Sequence, residues 1–166
     1  HPNVSTDERP LMTHVFHGID EFRASAGLEL GTGGWFAVTQ DRIDAFADVT
    51  EDWQWIHVDP DRATSSDMRS TVAHGYLTLS LLPRLSSELF TFEGIGRAVN
   101  YGLDKVRFPS FVRPGDRIRA RGRVAWTRDA QAGGVLACVH YSIEVEGREK
   151  PACVAEALMV AFPPEG

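Results

Sequence analysis

The chain has 166 residues, 43% of them hydrophobic and 24% charged, and a formal net charge of -6 at pH 7. This composition excludes fibrous and disordered classes and predicts a globular protein. The acidic balance disfavours nucleic acid or an anionic membrane as the main partner, because phosphate binding needs clustered Lys and Arg. No stretch approaches the roughly 18 apolar residues that a spanning helix requires, so an integral membrane protein is not expected.

The length predicts one domain. We expect residues 1–15 to be a loose N-terminal tail or sequence added for expression, because the first Met is Met12, and residues 16–166 to form the domain. The two cysteines, Cys138 and Cys153, lie far apart in apolar runs without a CxxC pair. Buried reduced thiols, and with them a cytoplasmic location, are therefore expected ahead of a disulfide or a metal site.

The first half of the chain is predicted to form helices and loops. "GIDEFRASAG" is typical of a short helix that ends at Gly27, and "LGTGGWFAV" of a glycine-rich loop that enters a short strand. In "TQDRIDAFADVT", Thr39 has the residue type and position of an N-cap. The apolar positions of this helix are spaced for one face: Ile43, Phe46, Ala47 and Val49. The helix leads to Asp52.

A buried helix closes this first part, and the chain changes to strands near residue 95. "STVAHGYLTLSLLPRLSSELF" carries leucines on nearly all sides, which predicts a buried helix that bends at Pro83. From Ala98 onward four segments alternate in strand fashion, separated by the turn sequences "RPGD", "AGG" and "EGREKP". A buried helix followed by a meander of long strands predicts the α+β class, with an antiparallel sheet wrapped around the helix.

The loop "TEDWQWIHVDPDRA" places Asp52 and His57 beside two tryptophans. A carboxylate and an imidazole held together in a poorly hydrated loop are typical of proton transfer near neutral pH. The spacing alone is weak, since a hydrogen-bonded loop histidine and a turn-forming Asp would give the same pattern. Asp59 is followed by Pro60, the sequence of an N-cap with proline at the first helical position, so we assign Asp59 a structural role.

His74 and Gly75 open the buried helix. A helix N-terminus carries free N–H groups with partial positive charge, and glycine there would let a carbonyl oxygen approach, so the turn could form an oxyanion hole. Close packing at Gly75 and local hydrogen bonding at His74 are the alternative. A metal site is not predicted, because the candidate ligands lack a His pair at helical spacing or a Cys pair. Those candidates are Asp52, His57, Asp59 and His74.

Four arginines alternate with small or apolar residues along one predicted strand: Arg117, Arg119, Arg121 and Arg123. A row on one strand face is typical of a solvated surface. The alternative is a contact for the phosphates of a large, cofactor-like substrate.

Three stretches together resemble, in order and spacing, the signature blocks of the MaoC-like dehydratases, which include R-specific enoyl-CoA hydratases and nodulation-protein-N-like members. They are "DAFADVTEDWQWIHVDPDRA", "TVAHGYLTLSLL" and "NYGLDKVRFPSFVRPGDRI". The likeness extends from Trp35 to Phe162. It implies a hot dog fold, in which an antiparallel sheet wraps a long central helix, and a homodimer whose acyl chain lies near the subunit interface.

The resemblance also implies site residues. The family's catalytic pair falls on Asp52 and His57. The oxyanion and substrate-binding positions fall on Gly75 with the preceding His74, on Ser80 and on Ala63. The chain departs from the family pattern at Glu51, where Gly is common, and at Gln54-Trp55, where Asn-Pro is common. These departures bear on the shape of the loop and on the room for an acyl chain.

The implied activity is reversible hydration of a trans-2-enoyl thioester to the (R)-3-hydroxyacyl thioester, with one water held between Asp52 and His57. The acyl carrier would be coenzyme A or an acyl carrier protein, and no metal or redox cofactor is expected. A hot dog thioesterase and a non-catalytic acyl-thioester binder are the alternatives, because fold does not fix function.

Overall fold

The computed structural model describes residues 12–166. Strand β1 (His14–His17) begins the described fold, and it pairs in parallel with β4 (Phe90–Glu93). The predicted boundary after residue 15 is therefore wrong, because His14 and Val15 already belong to a paired strand. Of the predicted tail, residues 1–11 lie outside the described residues.

The remaining strands form one antiparallel sheet. They are β2 (Glu29–Thr32), β3 (Phe36–Ala37), β5 (Arg97–Arg107), β6 (Arg117–Asp129), β7 (Val135–Val145) and β8 (Cys153–Phe162). The strand order is β2-β6-β7-β8-β5, and β3 also pairs with β6. The four predicted long strands are confirmed as β5 to β8. The four-residue strands β1, β2 and β4 were missed, because such short segments show little alternation.

The helical segments lie mainly in the first half of the chain. They are α1 (Ile19–Arg23), α2 (Gln40–Thr50), α3 (Trp55–Val58), α4 (Pro60–Thr64), α5 (Gly75–Ser80) and α6 (Leu82–Ser86). The central helix consists of α5 and α6, and a Leu85 N–H to Leu81 carbonyl bond of 2.9 Å carries the helical turn across their junction. Pro83, in the first turn of α6, has no N–H to donate back into α5, which explains why the helix is interrupted there.

The central helix packs its leucines against the sheet. Leu77, Leu81, Leu82 and Leu85 are buried in one cluster with residues of β6, β7 and β8. The helix is not buried on all sides as predicted, because the sheet covers only part of its circumference. Tyr76 is 71% exposed, and Ser80 and Pro83 are exposed on the open side.

Helix α2 begins and ends as its sequence directs. The predicted cap is confirmed, since the Thr39 hydroxyl accepts a hydrogen bond from the Arg42 N–H at 3.2 Å. Ile43 and Ala47 are buried, whereas Val49 is 78% exposed and its predicted place on the apolar face is wrong. At about 100° per residue, Val49 lies roughly 120° around the helix from Ile43.

The C-cap of α2 explains one departure from the family pattern. Glu51 has a φ of 59°, in the left-handed region, and the cap N–H donates to the Ala47 carbonyl. Glycine adopts this conformation without a steric penalty, which accounts for a family preference for Gly there. Glu51 takes the same conformation, so the turn that presents Asp52 is kept.

The outer face of the sheet carries the arginine row. Arg119 and Arg121 both bind Glu144, at 2.7 and 3.0 Å, and Arg123 contacts Glu29 at 3.3 Å. Arg117 forms a two-pronged pair with Glu146. These partners support the interpretation of a solvated, charge-paired face over that of a phosphate site.

The thiols are buried as predicted. Cys138 and Cys153 are both free and buried. Burial raises the pKa of Cys138 above its ordinary value and that of Cys153 to about 11. Within residues 12–166, no helix has the length and apolarity needed to cross a bilayer.

Candidate active site

His57 lies in the short helix α3 and is only 7% exposed. Its ring nitrogen Nδ1 lies 2.7 Å from the carbonyl oxygen of Val72. A carbonyl oxygen can only accept, so Nδ1 carries the hydrogen and Nε2 of the neutral ring has a free lone pair. Burial lowers the pKa of His57 below its ordinary value, against the opposing effect of the Val72 hydrogen bond. His57 is therefore suited to accept a proton through Nε2.

Asp52 follows the left-handed cap of α2 and is exposed. The tryptophans do not shield it as expected. Trp53 is 54% exposed and donates its indole N–H to Asp48, and Trp55 packs under the guanidinium of Arg62. The predicted poorly hydrated surroundings are confirmed for His57 and are wrong for Asp52 in the single chain.

His74 links these two residues. Its ring stacks on that of His57, with centroids 3.8 Å apart and planes inclined by 22°. Its Nε2 lies 3.0 Å from the main-chain oxygen of Asp52, and therefore carries the hydrogen. The ring is 3% exposed and Nδ1 is buried without a partner in the described structure. A carboxylate oxygen of Asp52 and one nitrogen of each ring lie within 4.8 Å of one another.

These three residues are the group among residues 12–166 that could hold a metal ion. Asp59, the fourth candidate from the sequence, instead caps α4 by accepting from the Arg62 N–H at 3.0 Å, as predicted. The stacked rings do not favour a shared ion. A metal bound at about 2 Å lies in the plane of each imidazole, and two stacked rings whose centroids are 3.8 Å apart and whose planes are inclined by 22° do not direct their nitrogens to one such point.

Gly75 begins α5 directly after His74. Its N–H has no intrahelical acceptor at this position and is free to donate to the carbonyl oxygen of a ligand. Phe108, which follows β5, packs against the glycine. A Cβ at this position would lie 2.9 to 3.1 Å from three ring carbons of Phe108. Close packing therefore applies at Gly75, and its N–H is left without an intrahelical acceptor.

The other two predicted residues lie apart from the pair. Ser80 is exposed and lines a cavity of about 620 Å³ between the central helix and strands β5, β7 and β8. Ala63 is fully buried in α4, so its small side chain fills a packed position and does not reach that cavity.

Three contributors to the site carried no sequence signal. Val72 acts through its carbonyl, which every residue has. Phe108, just after β5, meets Gly75 from a distant part of the chain. Gln40, next to the cap of α2, donates to the main-chain oxygen of His57 at 2.7 Å. A pattern search for catalytic side chains has no means of finding any of them.

Comparison with known proteins identifies the family of this chain. The family model described as the MaoC like domain matches residues 21–142. The 3-hydroxyacyl-thioester dehydratase Z of Mycobacterium tuberculosis is 46% identical over 145 residues, which cover 87% of this chain and 96% of the relative.

Solved structures share the fold. A monoamine oxidase regulatory protein from Archaeoglobus fulgius superposes with a TM-score of 0.74 at 21% identity, over 93% of this chain and 99% of that one. The (R)-hydratase from A. caviae involved in PHA biosynthesis superposes with a TM-score of 0.66 at 24% identity, over 84% and 96%. The predicted α+β hot dog class is confirmed. The chain belongs to the MaoC-like dehydratase family.

Proposed function

We propose that the protein is a hydro-lyase that reversibly hydrates trans-2-enoyl thioesters to (R)-3-hydroxyacyl thioesters. One observation carries the proposal: the neutral imidazole of His57, whose Nε2 has a free lone pair, has a ring nitrogen within 4.8 Å of an Asp52 carboxylate oxygen, a distance that one water can bridge. The name of the 46% identical relative, a 3-hydroxyacyl-thioester dehydratase, supports the reaction class. The R configuration rests on the likeness to the (R)-hydratase.

In the hydration direction, Asp52 accepts a hydrogen bond from the water and His57 takes its proton at Nε2. The water oxygen forms a bond to Cβ, and the Cα=Cβ electrons move toward the thioester oxygen. A proton then reaches Cα through the Asp52–His57 pair, so both groups return to their starting states. A group with a pKa near the working pH is effective in both directions of such a transfer. This scheme uses no metal or redox cofactor.

The developing charge on the thioester oxygen is met by the Gly75 N–H and by the positive end of the central helix. His74 contributes to this oxyanion and substrate-binding region chiefly by holding its neighbours in place. Its ring stacks on His57, and its Nε2–H donates to the main-chain oxygen of Asp52. Ala63 contributes by its small volume, which lets α4 pack closely beneath the site.

The acyl chain is proposed to occupy the cavity beside the central helix. Leu79, Leu82 and Met159 give it apolar walls, and Ser80 lies on its lining about 7.5 Å along the helix from Gly75, at 1.5 Å per residue. This distance suits an acyl group whose thioester carbonyl is held at Gly75. The carrier is coenzyme A or an acyl carrier protein, and neither nucleic acid nor membrane is a proposed partner.

A homodimer is proposed to close this cavity. Strand β5 forms the edge of the sheet, and nearly all of it is exposed, including the large side chains of Val99, Tyr101 and Leu103. Tyr101 and Leu103 also line the cavity. Pairing β5 with that of a second copy would satisfy a free edge and cover apolar surface. Light scattering should give twice the chain mass for wild type and a smaller mass for Leu103→Lys. A monomeric wild type would contradict this.

A cytoplasmic location is proposed on the basis of the two buried free thiols, which suit a reducing compartment.

The first experiment follows the loss of enoyl-thioester absorbance. Crotonyl-CoA and a longer trans-2-enoyl-CoA are mixed with wild type, Asp52→Asn and His57→Gln. We expect wild type to consume at least one substrate and both variants to lose on the order of 10²- to 10⁴-fold in kcat, with unchanged thermal unfolding. An inert wild type would contradict the proposal. Free thiol released from a saturated acyl-CoA would then point to a thioesterase, and binding without turnover to an acyl-thioester binder.

A further inference from the structure

The side-chain amide of Gln40 is fully engaged by three partners. Its Nε2 donates to the main-chain oxygen of His57 at 2.7 Å and to a carboxylate oxygen of Asp44 at 2.8 Å. Its Oε1 accepts from the hydroxyl of Thr71 at 2.5 Å. Thr71 is 3% exposed, so this contact lies in the interior.

These contacts close a ring of hydrogen bonds around His57. Thr71 precedes Val72, whose N–H donates to the Ile56 carbonyl at 2.9 Å and whose carbonyl accepts from Nδ1 of His57 at 2.7 Å. Gln40 therefore holds both the residue that carries the imidazole and the residue next to the acceptor of its Nδ1–H. The two segments are separated in sequence, and the amide fixes their relative position from the side of α2.

We propose that Gln40 is a positioning residue, which holds His57 and the Val72 carbonyl in register so that the imidazole keeps its Nδ1–H tautomer and presents Nε2 to the reacting water. The inference rests on the proposed function for its catalytic consequence. Its structural part concerns only the orientation and tautomer of His57.

The residue type follows from the partners. The amide nitrogen of Gln40 faces the His57 carbonyl, which needs a donor. The amide oxygen faces the Thr71 hydroxyl, which needs an acceptor. A glutamine offers two N–H donors and one oxygen acceptor in a single planar group. A glutamate would place an oxygen against the His57 carbonyl and the Asp44 carboxylate, and a methionine of similar length would leave the His57 and Thr71 groups without a partner.

The test compares Gln40→Met and Gln40→Glu with Asp41→Ala, a change of an exposed neighbour in the same turn of α2. Thr71→Val removes the hydroxyl, and Thr71→Ser keeps it. With crotonyl-CoA we expect kcat to fall on the order of 10- to 100-fold in both Gln40 variants and in Thr71→Val, since small misplacements of catalytic groups have effects of this size. Asp41→Ala and Thr71→Ser should stay within about 2-fold of wild type.

A second measurement does not depend on turnover. The ring ¹⁵N shifts of His57, assigned with His57→Gln, report its tautomer and its titration. The titratable groups that face His57 are His74 and Asp52, and none of these variants alters them. Wild type should show the Nδ1–H tautomer and a pKa below 6.5. Gln40→Met should show mixed tautomers, and weakening of the Val72 hydrogen bond, which raises the pKa of His57, should move that pKa further below its ordinary value.

The outcomes separate the two proposals. The positioning role is wrong if folded, active Gln40→Met has the same His57 ring ¹⁵N shifts as wild type and a kcat within 2-fold of wild type. If wild type is inert but the His57 tautomer changes in Gln40→Met, the proposed reaction fails and the positioning role stands. Equal losses in Asp41→Ala would show a general effect of α2 and would also overturn the role of Gln40.

Discussion

The active-site cleft and the outer face of the sheet both concentrate ionisable side chains, but they hold them differently. In the cleft, His57 and His74 are buried, and each donates a ring N–H to a main-chain carbonyl. On the outer face, Arg119 and Arg121 share the carboxylate of Glu144 at the protein surface. A main-chain carbonyl fixes which nitrogen is protonated, whereas a half-buried ion pair at the surface fixes little, because solvent and salt still screen it. The comparison predicts large effects on activity in the cleft and small effects on stability on the outer face.

After the loss of Asp52 or His57 itself, the largest effect is expected from Gly75→Ala. The added Cβ would lie within 3.1 Å of the Phe108 ring, so either the ring or the start of the central helix must move. Displacement of the Gly75 N–H should lower kcat/KM on the order of 10²-fold, the effect typical of a lost oxyanion donor. Steady-state kinetics with an enoyl-CoA substrate would measure it.

The matched control removes the obstacle. The double variant Gly75→Ala/Phe108→Ala lacks the ring that the added Cβ would meet. Its kcat/KM should therefore lie much closer to that of Phe108→Ala than the kcat/KM of Gly75→Ala lies to that of wild type. Failure of the double variant to recover would show that the space at Gly75 is needed by the substrate and not by Phe108.

A pH profile tests the cleft without a mutation. Because burial lowers the pKa of His57 and the neutral ring is the form that accepts the proton, kcat/KM should decline at acidic pH with a midpoint below the ordinary histidine pKa of about 6.5. The decline should be absent from the residual activity of His57→Gln. A midpoint above 6.5 would contradict the assignment of His57 as the proton acceptor.

The smallest effect is expected on the outer face. Glu144→Gln leaves Arg119 and Arg121 without a charged partner, yet solvent screening limits the loss in unfolding free energy to about 1 kcal/mol or less. Burial alone would raise the pKa of Glu144, but its hydrogen bonds with the two arginines lower it. Denaturant unfolding should show a difference that shrinks at high salt. A loss of kcat above 2-fold would mean that this face takes part in the reaction.

The sequence by itself determined the parts of the protein that depend on local chemistry. Thr39 and Asp59 cap their helices because a short polar side chain can reach N–H groups three residues on. The long strands were predictable because alternation repeats over ten or more residues between strong turns. The order and spacing of the three stretches that contain Asp52 and His57, Gly75, and the start of the long strands sufficed to predict the family.

Tertiary structure decided how these groups can react. The acceptor that fixes the tautomer of His57 is a main-chain carbonyl 15 residues away, and Gln40 meets Thr71 across 31 residues. Every residue has a main-chain carbonyl, so residue type does not reveal which carbonyl is the acceptor. The stacked pair of His57 and His74 forms only when two separate segments of the chain pack together. The sequence specified which chemical groups are present. Only the packing of distant segments determined which of their atoms are free, which are buried and which are already bonded.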